Sequence, residues 1–238
     1  MRFFPLVFAA LIFLGDRASA QTPLLSPSLP GIRRSVTPAQ AAAPKGSQSK
    51  ESAEEQKARF EASIAVLKDR IGDATNKVMA KIIDQEKDLR MRLGYFEKED
   101  RLDPNNFASK EEIQNWQKLV DQFQQSRDLV AKLYGNASED LETALVGERI
   151  APALAGAIRK EIISSFPWDD IAKKDDLITT YTGFHRQLLT FFDQNWKAWN
   201  AKQPYFTDQK LESDYEKLRE QIASTSKTID TIYTRINF

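Results

Sequence analysis

Residues 208–236 read DQKLESDYEKLREQIASTSKTIDTIYTRI. Within this stretch Leu211, Tyr215, Leu218, Ile222, Thr225, Ile229, Ile232 and Ile236 recur in alternating steps of four and three. A repeat of 3.5 residues places all eight on one side of a helix, a seam of coiled-coil type, whereas a half-buried strand would alternate every second residue. A helix is therefore predicted from about Asp208 onward. Its apolar seam needs cover from other helices, either of the same chain or of a second copy.

Immediately upstream, Pro204 is expected to stop a fourth helix near Lys202, because its ring clashes with the preceding turn. That helix is unusually aromatic: Tyr181–Phe206 holds eight aromatic residues in 26 positions. Advancing 100° per residue, Leu177 through Trp199 fill an apolar arc of about 160°, against the roughly 100° an ordinary surface helix uses. The helix therefore sits centrally in a bundle, or carries surplus surface for a ligand or partner. Tyr181, His185, Phe192, Trp196 and Trp199 are the candidate binding residues on it, since Trp and Tyr are frequent interface anchors.

Further upstream, Pro152 must kink or break a third helix that Ser138 caps and that runs through Leu141, Leu145 and Ile150. Phe166-Pro167-Trp168 closes its continuation. The second helix opens on Ser109, with Glu112 three residues on as a capping box. It carries Ile113, Trp116, Val120, Phe123, Val130 and Tyr134, and is expected to end at Gly135-Asn136. Asn136-Ala137-Ser138 then forms a glycosylation sequon placed in a turn. Asp103-Pro104-Asn105-Asn106 is turn chemistry. Before it, Phe60, Ile64, Leu67, Ile71, Ala74, Val78, Ile82, Leu89, Leu93 and Phe96 share one stripe, predicting a single first helix from about residue 53 to 98. The fold class is all-α, an elongated antiparallel bundle of four to five long helices over residues 53–238.

The N-terminal part differs in kind. Met1–Ala20 has a basic start at Arg2, an apolar run from Phe3 to Leu14 and an Ala18-Ser19-Ala20 end, the pattern of a secretory signal cleaved after Ala20. The run is too short for a membrane span of about 20 residues. Residues 21–52 hold five of the ten prolines and little apolar periodicity, as expected of a disordered tether.

Composition excludes several functions. The chain has no cysteine and one histidine, His185. Disulfides, thiol catalysis, iron–sulfur clusters and metal sites needing two imidazoles are thereby excluded. Basic and acidic residues balance at 34 each. Loss of Arg2, Arg17 and Asp16 with the signal would leave a formal charge of −1, which gives no electrostatic reason for a nucleic-acid partner. No span follows the signal, so the mature chain is expected to be soluble. No P-loop, EF-hand, dinucleotide fingerprint or G-x-S-x-G nucleophile occurs.

Polar residues inside the apolar stripes are the remaining candidates: Gln85, Arg127, His185, Asn195 and Thr225. Arg127 is the sharpest, either an anion-binding arginine or a stem lying along the stripe with its head in water. The residues point to an exported, periplasmic or extracellular protein without enzymatic activity. It is expected to bind a protein or cell-envelope component through helical faces, with a homo-oligomer through the Leu211–Ile236 seam as one form. A second reading places a small apolar or aromatic ligand against Phe192, Trp196 and Trp199. A third makes the bundle an enzyme around an Arg127 anion site. No catalytic residue, metal or cofactor is assigned.

Overall fold

A computed structural model describes residues 52–236. The expected signal and nearly all of the expected tether lie outside the described residues. The described chain is all-helical: α1 spans Ala53–Phe96, α2 Lys110–Gly147, α3 Pro152–Ser164, α4 Trp168–Gln194 and α5 Gln209–Ile236. One isolated bridge, Trp199 to Phe206, is the only extended pairing among the described residues. None of the described helices is long and apolar enough to cross a membrane. The chain divides into two units, with the division after Asp69.

The described part of the first unit, residues 52–69, is helical and solvated. It opens with a reciprocal cap: the Glu55 amide donates to Ser52 Oγ at 3.2 Å and the Ser52 amide to Glu55 Oε2 at 3.0 Å. This satisfies two of the amide donors a helix start leaves open. Phe60 is 66 % exposed and Val66 49 %.

In the second unit α5 packs on α4, and α2 packs on both α4 and α3. Residues 71–96 of α1 enter the same core. The buried residues there are Ile71, Ala74, Val78, Ile82, Glu86, Leu89, Leu93 and Phe96, a ladder in steps of three and four. The seam of α5 is spent inside the chain: Tyr215, Ile222, Thr225, Ile229, Ile232 and Ile236 are buried. Leu211 and Leu218, the other two seam residues, are half-buried.

Three helix boundaries differ from expectation. The second helix does not end at Gly135-Asn136 but continues to Gly147. Carrying a helix through Gly costs about 1 kcal/mol. Burying Ala137, Leu141 and Leu145 beyond it returns more, at about 1.5–3 kcal/mol for each large side chain. The sequon therefore lies within a helix, not in a turn. The true stop is at Arg149, whose φ is 61°. Its amide bonds the Val146 carbonyl at 2.9 Å and the Ile150 amide bonds that of Leu145 at 3.2 Å, the two closures of a Schellman motif. Pro152 then starts α3, so it separates two helices where its missing N–H is harmless. A left-handed arginine is disfavoured by about 1–2 kcal/mol relative to glycine, which itself loses more entropy on folding. Arg149→Gly should thus raise stability by about 0.5–1 kcal/mol in a denaturant titration. Arg149→Val should lower it, because branching at Cβ tolerates positive φ poorly.

The fourth helix ends at Gln194, not near Lys202. The Asn195 amide and its side-chain Nδ2 both donate to the Phe191 carbonyl, at 3.0 and 2.9 Å. Lys197, at φ 60°, then turns the chain away. The turn lets residues 199–206 fold back, with the Asn200 amide on the Tyr205 carbonyl at 2.6 Å. Trp196 and Trp199 therefore sit on a loop and not on the helical arc. Other starts agree with expectation. The Glu112 amide donates to Ser109 Oγ at 3.2 Å, and Glu112 Oε2 accepts from the Ala108 amide at 2.6 Å. Asp103 Oδ1 accepts from the Asn105 amide at 2.8 Å.

Candidate functional site

The most unusual chemistry in the second unit is a charged pair at the centre of the bundle. Glu86 takes the stripe position between Ile82 and Leu89 on α1, and Lys174 the one between Ile171 and Ile178 on α4. Their side chains are 1 % and 0 % exposed. Lys174 Nζ donates to Glu86 Oε1, and Tyr233 of α5 donates its hydroxyl to Glu86 Oε2 at 3.2 Å. Nζ also stands 3.6 Å from Asp175 Oδ1 and 5.3 Å from the centre of the Tyr134 ring of α2. All four long helices thus supply a side chain to one polar knot.

The electrostatics follow from depth. Burial, then the neighbouring Glu86 charge, pushes the Tyr134 and Tyr233 hydroxyls above the usual tyrosine range. Burial raises the Asp175 carboxyl, with the Lys174 and Arg127 charges opposing it. Neither the ammonium nor the carboxylate of the central pair meets solvent, whereas the Asp175 side chain is 13 % exposed. The chemistry of the knot is that of a buried ion pair whose carboxylate is bonded at both oxygens, and it ties together the helix faces that meet there.

The six expected site residues fall in three places. Tyr181, His185 and Phe192 are core residues of α4. The His185 ring lies 4.6 Å from that of Tyr181 and 5.4 Å from that of Phe96. It is 5 % exposed, and burial depresses its pKa to about 4. Phe192, Trp196 and Trp199 come together in an aromatic cluster. The Trp199 ring is 5.9 Å from Phe192 and 5.3 Å from Trp196. Phe206 and Tyr215 lie 6.4 Å from Trp199 and 5.9 Å from Phe192 respectively. Arg127 stands apart, its partly exposed guanidinium donating to Asp128 Oδ1 at 2.9 Å. That bond holds the Asp128 carboxyl below its usual range. Arg127 thus runs its stem along the stripe and meets its anion within its own helix.

Glu86, not Gln85, is the buried polar residue of the first stripe; Gln85 is half-buried. Glu86 and Lys174 were legible as charged residues at core positions of otherwise unbroken three-four ladders. Their pairing was not, since it depends on the axial register of α1 against α4.

On the surface, α1 and α2 frame a groove of about 470 Å³ lined by Met91, Gly94, Tyr95, Phe96 and Leu119, with Arg92 and Lys98 also on its wall. Met91 is 68 % exposed and Tyr95 40 %. Tyr95 stacks on Trp116 at 5.6 Å and 7°, and the Arg101 guanidinium lies 4.8 Å from the Tyr95 ring centre. A Cβ added at Gly94 would meet nothing within 4 Å, so the groove is open there. Among the described residues no group of three or more potential metal ligands occurs. Comparison with protein-family models, curated proteins and solved structures finds no match to this chain.

Proposed function

We propose that the protein is an exported, non-enzymatic helical domain that binds a protein partner through a helical face. The observation that carries this reading is the Met91–Tyr95–Leu119 groove. Met91 and Tyr95 stand in solvent there, side by side with the half-buried Leu119. Met and aromatic side chains adapt to varied apolar surfaces, and grooves of this kind accept the apolar side of an amphipathic helix. Arg92, Lys98 and Arg101 surround the groove, although Arg92 also bonds Asp88 at 2.8 Å. The basic wall favours a partner helix whose apolar anchors are flanked by carboxylates. Export rests on the pattern of Met1–Ala20.

A photo-crosslinking residue at position 91, compared with one at exposed position 173, tests the reading in the producing cell. The expected product is one dominant adduct at 91, absent at 173, joined to an acidic amphipathic segment and lost on Leu119→Glu. The mature protein in that adduct should begin at Gln21. Equal labelling at both positions, or adducts unaffected by Leu119→Glu, would count decisively against it.

A further inference from the structure

Phe96 separates the groove just described from a second one of about 470 Å³ on its other side. Phe96, Leu102, Tyr181 and Ile222 give this second groove an apolar floor, and its volume lies in the range of small-ligand sites. The charged residues around it are Glu97, Glu216, Glu220 and Asp230 against Arg219 and Lys227. Arg219 is already engaged by Glu216 at 3.1 Å, so the remaining groups leave an excess of negative charge. Glu97 Oε1 accepts from the Ser226 hydroxyl, which holds that carboxylate over the groove.

The floor has an unmet need. Tyr181 is 0 % exposed, yet its hydroxyl has no hydrogen-bond partner within the protein. Buried polar groups in folded proteins nearly always have one. Beside it, His185 Nε2 is also buried without a partner. Glu97 and Asp230 lie close enough for their charges to bear on the Tyr181 hydroxyl. A group that donates hydrogen bonds and carries positive charge would satisfy the hydroxyl oxygen and both carboxylates together.

We infer that this groove binds a primary ammonium group on an apolar stem. The ammonium sits between Glu97 and Asp230 and donates to the Tyr181 hydroxyl oxygen, while the stem lies on Phe96 and Ile222. A free alkylamine and a lysine side chain of a peptide share this chemistry.

Calorimetric titration of the full chain at pH 7 with n-hexylamine, n-hexanol and hexanoate tests the assignment. Hexylamine should bind at least tenfold more tightly than the other two. The Glu97→Gln/Asp230→Asn double variant, altered at solvent-accessible positions, should lose at least tenfold in amine affinity with an unchanged melting temperature. Tyr181→Phe should melt no lower than the parent and still bind hexylamine several-fold more weakly. A merely structural hydroxyl would not produce that split. An acetylated, amidated tetrapeptide with one lysine distinguishes the sources. Tighter binding than hexylamine identifies a protein side chain, and weaker binding identifies a free amine. Absence of binding by both amines at millimolar concentration overturns the inference. So does equal binding of hexanoate, or undiminished affinity in the double variant.

Discussion

Lys174→Met should lower the unfolding free energy by about 3–5 kcal/mol in a guanidinium titration at pH 7. The substitution keeps the length of the side chain and most of its packing. What it removes is the only ammonium bonded to Glu86, leaving a carboxylate that is 1 % exposed without its countercharge. An uncompensated charge in the interior is far costlier than the pair it came from. The double variant Glu86→Leu/Lys174→Met should therefore be more stable than Lys174→Met alone. Its recovery should be incomplete, because Tyr233 would lose the carboxylate it donates to at 3.2 Å. A buried hydroxyl without a partner costs about 1–3 kcal/mol. Adding Tyr233→Phe should return most of that remainder. If Lys174→Met instead matches the parent, the pair does not hold the charge state assigned to it.

Stability should also fall steeply between neutral pH and about pH 4, through one residue. The His185 pKa is depressed from 6.5 to about 4 by burial alone. As pH falls through 6.5 the unfolded chain takes up a proton that the folded chain refuses until about pH 4. The full contribution of the buried neutral ring is thus present above pH 6.5 and is lost progressively down to about pH 4. A difference of that size corresponds to about 3 kcal/mol. The chain has a single histidine, so His185→Phe isolates the effect. Denaturant titrations at pH 7.5, 6.0, 5.0 and 4.5 should show a gap between parent and variant that changes by about that amount. Asp175 works in the opposite direction, since its raised carboxyl pKa favours the folded state as pH falls. A parallel course for the two proteins would show that His185 is not buried in the neutral form.

How far the fold was readable follows from what kind of signal each element carried. The stripes of α1 and α5 were legible because a helix that buries one face must repeat near 3.5 residues, whatever covers it. The ends at Gly135 and Lys202 were misread for a common reason. Gly135 and Pro204 are local signals, whereas the observed ends depend on distant surfaces. Ala137, Leu141 and Leu145 carry α2 past the glycine only because other helices bury them. Asn195 ends α4 early because residues 199–206 have an aromatic cluster to return to. The candidate sites were legible in part. The aromatic density around Tyr181 pointed to that region, but it gave no means of separating core rings from groove rings. Glu97, Asp230 and Ser226 carried no signal at all, being ordinary surface residues until α1 and α5 are set side by side. The same holds for Met91 and Leu119, which differ from covered apolar residues only in what fails to pack on them.

The Glu86–Lys174 knot also bears on how the bundle assembles. A hairpin of α4 and α5 formed alone would bury Lys174 against Tyr233 with Asp175 3.6 Å away but without Glu86, the carboxylate it bonds. A hairpin of α1 and α2 would likewise bury Glu86 with no ammonium. Each half-structure is therefore penalised by a buried charge whose bonded partner stands in the other half. Partly assembled forms are disfavoured on that account, and the four long helices are coupled to close as one cooperative event.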